Sequence, residues 1–224
     1  MSDVTRLPKD GNICLIDADS LVYYEMDKPT LELAIQGIDA RIKNMLDVCN
    51  TTLFAGFMTE GRCFRYKVTS SLSALEADDL VCYYSFTDNR KTIVCSPDKD
   101  VLYQCIGMHY NYQKAHFQHT TPEEALKFLW KQVLMGDSTD GIPGLPGVGS
   151  KTSDNWLKTR VTDFEGFALK KYVEKFGMVE GVFKFHETFR LVYLLRSSED
   201  ITRETGLVLP ALEVSQLELQ RGSD

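Results

Sequence analysis

The chain has 224 residues, 43% hydrophobic and 25% charged, with a formal net charge of −7. That composition excludes a disordered or fibrous protein and suits one globular domain, or a core with a smaller companion. No apolar run approaches the roughly 20 residues that cross a bilayer. The polar stretch Met1–Asp10 lacks the apolar centre of a signal peptide, so the expectation is a soluble, cytoplasmic protein with no membrane partner.

In chain order, Ile13–Asp17 (ICLID) is a short apolar run ending in an acid, which predicts a buried strand. Leu31–Cys49 places Leu31, Ile35, Ile38, Ile42, Met45, Leu46 and Cys49 on one helical stripe. Thr52–Met58 reads as a second strand, and Leu75–Phe86 as a helix with carboxylates in its first turn. Thr92–Cys95 is a third strand and Met108–Tyr112 a fourth. Strands alternating with helices predict an α/β sheet, largely parallel. The pattern then changes. Thr121-Pro122-Glu123-Glu124 is a capping box with proline at the first helical position, opening a helix to about Met135. Gly136–Gly149 holds five glycines and two prolines, and from Lys151 to about Arg196 the chain reads as helical. The division expected is an α/β core over residues 1–120 and a helical module over 121–224, with a peripheral tail from Ser197 in which Val208–Leu212 packs on the body.

The six cysteines, Cys14, Cys49, Cys63, Cys82, Cys95 and Cys105, include no CxxC pair. Several lie in apolar runs, so they read as buried free thiols in a reducing compartment.

Acids recur where strands end or helices begin: Asp17 and Asp19, Glu60, then Glu76, Asp78 and Asp79, then Asp98 and Asp100, then Asp137 and Asp140. A single such acid is usually a loop residue or a helix cap. In an open parallel sheet, however, the carboxyl ends of the strands share one edge, where ligands bind. Asp17, Glu60 and Asp98 then converge without being close in sequence. Like charges so crowded require cations. Oxygen donors without histidine or cysteine suit Mg²⁺ or Mn²⁺ rather than zinc. Two such ions about 4 Å apart hold the attacking and leaving oxygens of an in-line phosphoryl displacement. The acidic balance argues at first against a nucleic-acid partner. Yet nine of the 32 acids, all of these except Asp19, are assigned to one metal site, and without them the charge turns slightly positive.

The segments Leu15-Ile16-Asp17-Ala18-Asp19, Leu75-Glu76-Ala77-Asp78-Asp79, Ser96-Pro97-Asp98-Lys99-Asp100 and Met135–Gly144 occur in this order. Together they resemble the flap endonuclease/5′-3′ exonuclease family, especially its small bacteriophage members. Gly144–Thr152 resembles that family's helix–three-turn–helix DNA-binding loop. The resemblance implies a PIN-like, largely parallel sheet flanked by helices, with a C-terminal helix–three-turn–helix module. It implies a two-metal 5′-nuclease acting as a monomer on DNA duplex with a 5′ end, flap or nick, or on an RNA–DNA hybrid. Asp17, Glu60, Glu76 and Asp78 would hold one ion. Asp98, Asp100, Asp137 and Asp140 would hold the other, with Asp79 between them or orienting water. Arg65 and Lys67 would contact phosphate in the substrate; Gly147, Gly149, Ser150, Lys151 and Thr152 would bind duplex phosphates.

Two departures stand out. Glu60 occupies a place where aspartate is usual before the Phe64-Arg65 pair. Only ten residues, Tyr66–Leu75, separate Arg65 from Glu76, where family members carry a long basic arch. The chain is either an archless member or a sequence lacking a segment near Tyr66-Lys67, and the abrupt change there favours the second.

Weaker signals have plainer explanations. Gly144–Thr152 also resembles a P-loop, but Ser150 intervenes before the lysine and no strand precedes it, so no nucleotide cofactor is expected. His116 and His119 read as a solvated loop. Tyr110, Tyr112 and Phe117 read as packing rather than base stacking, and Lys170, Lys171 and Lys175 either flank a duplex or form a solvated helix face. A PIN-type ribonuclease is the rival of like chemistry, opposed by Gly144–Thr152 and the Asp137/Asp140 pair. A non-catalytic DNA-binding protein of this fold is the other rival, opposed by the retained acids.

Overall fold

The structure, a computed structural model, describes residues 12–59, 75–158 and 163–216. It divides into two units, Met1–Thr121 with Leu194–Asp224, and Pro122–Tyr193.

In the first unit, β1 (Ile13–Asp17) is buried at every position. A strand covered on both faces has no polar alternation, which is why ICLID reads as one apolar run. The chain passes directly into α1 (Ala18–Glu25), capped by Asp17, which accepts from Ser20 N. The helix α2 (Leu31–Val48) is capped by Thr30 and buries Met45 and Leu46. Then follow β2 (Leu53–Phe57), α3 (Ala77–Thr87), β3 (Thr92–Cys95), α4 (Lys99–Gln104), β4 (Gly107–Asn111) and β5 (His116–Thr120). The sheet runs β5-β4-β3-β1-β2 in space. β1 pairs in parallel with β2 and β3, and β3 with β4, while β5 is antiparallel to β4. The carboxyl ends of β1, β2 and β3 therefore share one edge. The sheet is mixed and mostly parallel, as the alternating pattern implied.

Three of these elements escape the sequence pattern. β5 contains His116 and His119, expected in a loop; backbone pairing of His116 with Asn111 and of His119 with Met108 makes it a strand despite its polar side chains. α1 begins on the residue after a strand, with no linker to announce it. α4 has six residues, too few for a helical stripe to register.

The second unit is helical. It contains α5 (Pro122–Met135), the two-residue strands β6 (Gly136–Asp137) and β7 (Ile142–Pro143), α6 (Ser150–Lys158), α7 (Phe164–Phe176) and α8 (Met178–Val192). The single helical stretch expected after Lys151 is interrupted at Gly177 between α7 and α8. Trp130, Val133, Leu134, Leu157, Tyr172 and Phe185 centre its core. The Tyr172 hydroxyl donates to Val133 O at 2.7 Å, which gives this buried ring a partner for its polar end.

The remaining residues return to the first unit. α9 (Ser198–Thr205) begins in a reciprocal capping box between Ser197 and Asp200. β8 (Ser215–Gln216) pairs antiparallel with β2 and extends the sheet. Residues 194–216 thus belong with the α/β unit, whereas the division drawn from sequence placed all of 121–224 in the helical module. The tail is also not merely peripheral. Ile201 is buried and the Tyr84 hydroxyl donates to Pro210 O at 3.0 Å, although Val208, expected to pack on the body, is exposed.

Candidate functional site

In the α/β unit the predicted acids lie along the carboxyl edge of the sheet. Asp17 ends β1, and its carboxylate is buried. Ser96, the residue after β3, is fully buried and donates its hydroxyl to Asp17 Oδ2 at 2.8 Å. The same Ser96 oxygen accepts from Asp98 N at 3.0 Å. Asp98 caps α4 and accepts from Asp100 N at 2.6 Å. One hydroxyl thus links the acid of β1 to the acidic turn after β3.

A second chain of bonds ties α1 to β2 and α3. Asp19 accepts from Thr59 N at 2.9 Å, and Thr59 Oγ1 accepts from Ala77 N at 2.9 Å. This fixes the start of α3, where Glu76, Asp78 and Asp79 bring carboxylate oxygens within 4.8 Å of one another. Asp78 Oδ1 accepts from Asp79 N at 2.8 Å, and Asp79 Oδ1 from Leu195 N at 3.1 Å. Asp19 serves here as a brace between elements. Ser96, Thr59 and Leu195 were not singled out in the sequence. Ser96 stands inside a quoted motif, but its role depends on the spatial approach of β1. Leu195 acts through its backbone, which no side-chain pattern reveals.

At Asp17 burial and a nearby like charge act together. Burial pushes the Asp17 carboxyl above its ordinary range; the Ser96 hydroxyl and Ser20 amide oppose this, and the Asp98 charge adds to it. Asp17, Glu76 and Asp98 each stand at the N-cap of a helix, where the positive end of the dipole offsets part of the repulsion. The all-oxygen donor set of Glu76, Asp78 and Asp79 fits a hard divalent cation. Glu60, Arg65 and Lys67 lie outside the described residues. Tyr110 is buried against Phe117, and the Tyr112 hydroxyl donates to Asp17 O at 3.3 Å, so both rings serve packing and support.

The helical unit carries the remaining candidates. Asp137 is buried, accepting from Gln132 Nε2 at 3.1 Å and from Thr139 N at 2.9 Å. Asp140 is exposed, with a carboxylate oxygen within 4.8 Å of one on Asp137. The turn that follows is tightly built. A Cβ at Gly144 would stand 2.2 Å from Gly136 N, so backbone meets backbone there. Leu145 N donates to Leu134 O at 2.9 Å and Val148 N to Leu145 O at 3.0 Å. Gly147 has φ +80°, a conformation that side-chain-bearing residues rarely adopt, and both it and Gly149 face open space. Ser150 opens α6, Lys151 is exposed in its first turn, and that turn has no acid. The Ser150 hydroxyl faces Asp154 at 3.3 Å but Ser150 is exposed, as are Lys151 and the glycines Gly147 and Gly149, whereas Thr152 is half-buried. Lys170 and Lys171 pair with Glu174, and Lys171 also lies over the Trp156 and Phe167 rings. That arrangement favours the solvated helix face for this pair.

No family model matches the chain. It is 28% identical over 148 residues to a 5′-3′ exonuclease of Aquifex aeolicus, spanning 61% of this chain and 46% of that protein. It is 33% identical over 100 residues to a 5′-3′ exonuclease of Buchnera aphidicola, spanning 38% of this chain and 34% of that protein. The chain thus matches less than half the length of these curated relatives. A solved structure of a T5 5′-exonuclease variant superposes with a TM-score of 0.52, at 15% identity, covering 88% of this chain and 97% of that one. The fold is the one seen in that T5 5′-exonuclease variant, so the resemblance read from the sequence motifs extends to the fold.

Proposed function

We propose that this chain hydrolyses phosphodiester bonds near the 5′ ends of DNA in a reaction that requires divalent metal ions. The observation that carries the reading is the carboxylate edge of the α/β unit, where Asp17, Glu76, Asp78, Asp79, Asp98 and Asp100 gather around the ends of β1 and β3 and the start of α3. Glu76, Asp78 and Asp79 would hold a cation, Mg²⁺ being the ion such hard oxygens suit, with Mn²⁺ as substitute. Bound ions would lower the charge on the scissile phosphate and favour water as nucleophile. Ser96 would keep Asp17 ionised and oriented by donating to it. Leu195 N would hold Asp79 in one rotamer. Asp137 and Asp140 offer a further carboxylate pair for metal in the helical unit. No protein nucleophile is needed.

Duplex binding is assigned to the turn Gly144–Thr152. Its exposed glycines allow close approach of a phosphate, and Lys151 adds a positive charge at the start of α6. Such contacts are indifferent to base sequence. Digestion of 5′-flap, nicked and blunt DNA, each beside its RNA counterpart, with Mg²⁺ and then with chelator, tests the whole reading. Metal-dependent release of 5′ products from DNA is expected. Full turnover in chelator, or cleavage confined to RNA, would overturn it.

A further inference from the structure

Away from the carboxylates, the α/β unit gathers three thiols that the proposed nuclease chemistry does not use. Cys14 lies on β1, Cys95 ends β3, and Cys49 is the C-cap of α2. Parallel pairing sets Cys14 opposite Ile93, so Cys95, two residues on, faces the same side of the sheet. The end of α2 delivers Cys49 to that face. The Sγ atoms of Cys49 and Cys95 are 3.9 Å apart, and all three sulfurs lie within 4.8 Å of one another. Sulfurs held ~2.3 Å from a common atom, the usual metal–thiolate length, stand about 3.5–4 Å apart. Cys49 and Cys95 therefore stand at the spacing that a shared ligand atom imposes, with Cys14 within 4.8 Å of both.

Burial decides what kind of atom. All three cysteines are fully buried, among Ile16, Met45, Leu46, Ile93 and Tyr110. Among the described residues, no cationic side chain enters the electrostatics of these three thiols. Uncompensated charge in such surroundings is costly. Three thiolates around a divalent ion leave one negative charge, and around a monovalent ion two. Three thiolates around a trivalent centre leave none. We propose that Cys14, Cys49 and Cys95 form a buried site for a trivalent, thiophilic metalloid, for which arsenite is the simplest probe.

The step balances without an oxidant or a net proton. Neutral arsenous acid, As(OH)₃, meets three thiols; three As–O bonds break, three As–S bonds form, and each departing hydroxide leaves as water with a thiol proton. Arsenic stays trivalent and sulfur is not oxidised. A neutral small molecule also enters an apolar core without the desolvation cost of an aqua cation. The product would bridge β1, α2 and β3.

Native mass spectrometry of the full chain with arsenite reads the outcome without reference to nuclease activity. The expected result is one adduct per chain, heavier by one arsenic less three hydrogens, with a rise in thermal midpoint because only the folded state assembles the three thiols. Cys14→Ala, Cys49→Ala and Cys95→Ala should each lose the adduct, while Cys82→Ala, at the separate buried Cys82, should keep it. Arsenic X-ray absorption on the wild-type adduct should count three sulfur neighbours and no oxygen, which needs no variant to fold. Absence of the adduct, its survival in Cys49→Ala, its loss in Cys82→Ala, or oxygen in the arsenic shell would overturn the proposal.

Discussion

Replacing Ser96 by alanine removes a single oxygen that joins the two halves of the carboxylate edge. In the wild type that oxygen donates to Asp17 Oδ2 at 2.8 Å and accepts from Asp98 N at 3.0 Å, with Ser96 fully buried. A hydrogen bond to a buried charged group is worth about 1.5–3 kcal/mol. The remaining amide donor to Asp17, from Ser20 at 3.4 Å, is too long to compensate. Asp98 is exposed, so water can reach its amide, and that loss adds only about 0.5–1 kcal/mol. The metal-free variant should therefore lose about 2–4 kcal/mol at neutral pH, or roughly 5–15 °C of thermal midpoint for a chain of this size. The pH dependence has a definite sign. The Ser96 hydroxyl favours ionised Asp17 and partly opposes the upward push of burial. Its loss therefore costs most where Asp17 is charged, and the deficit should shrink as pH falls through the raised pKa of Asp17. Metal affinity or cleavage should drop about 10–100-fold, as when an outer partner of a ligand is removed. Circular dichroism melts at neutral and acid pH, with Mg²⁺ titrations of cleavage, measure both effects. A neutral-pH midpoint equal to wild type, or a deficit that widens on acidification, would refute the reasoning.

Asp78→Asn and Asp98→Asn should each lower cleavage at least about 100-fold, or ~3 kcal/mol of transition-state stabilisation. Their melting points should hold or rise, because each removes one charge from a crowded group; near wild-type turnover in both would dismiss the assignment. Lys151→Ala should weaken duplex binding alike on unrelated sequences and reduce the salt dependence by about one phosphate contact. Binding curves that overlay the wild type at low and high salt would remove the turn from the DNA-contact surface. His109 is fully buried, its Nε2 bonded to Cys105 O at 3.0 Å, and burial pushes its pKa down to about 4 from 6.5. Its neutral form is the one that fits, so stability should fall as pH drops from 6.5 to about 4, by about 3 kcal/mol. His109→Gln, which keeps a donor for Cys105 O, should flatten that slope in chemical denaturation, and an unchanged slope would place the acid sensitivity elsewhere.

The amino-acid sequence by itself determined the elements with long or continuous apolar patterns. ICLID announces β1 because a strand buried on both faces must be apolar throughout. The stripe from Leu31 to Cys49 announces α2, and Thr121-Pro122 announces the start of α5. Acids at strand ends and helix starts were legible for the same reason: their positions are local, and the parallel sheet places such ends on one edge. Short or polar elements were not legible. α4 is too short to show a period, and β5 is a strand only because β4 offers it a backbone ladder. The return of residues 194–216 to the α/β unit is likewise a tertiary fact, fixed by burial of Leu194 and Ile201 and by pairing of β8 with β2. The same holds for what supports the candidate site. Ser96 bridging Asp17 to Asp98, Thr59 joining Asp19 to α3, and Leu195 N holding Asp79 all span large sequence separations. So does the meeting of Cys14, Cys49 and Cys95, which read along the chain as three unrelated buried thiols. Local patterns record what each segment needs to bury; only the folded chain decides which buried groups meet.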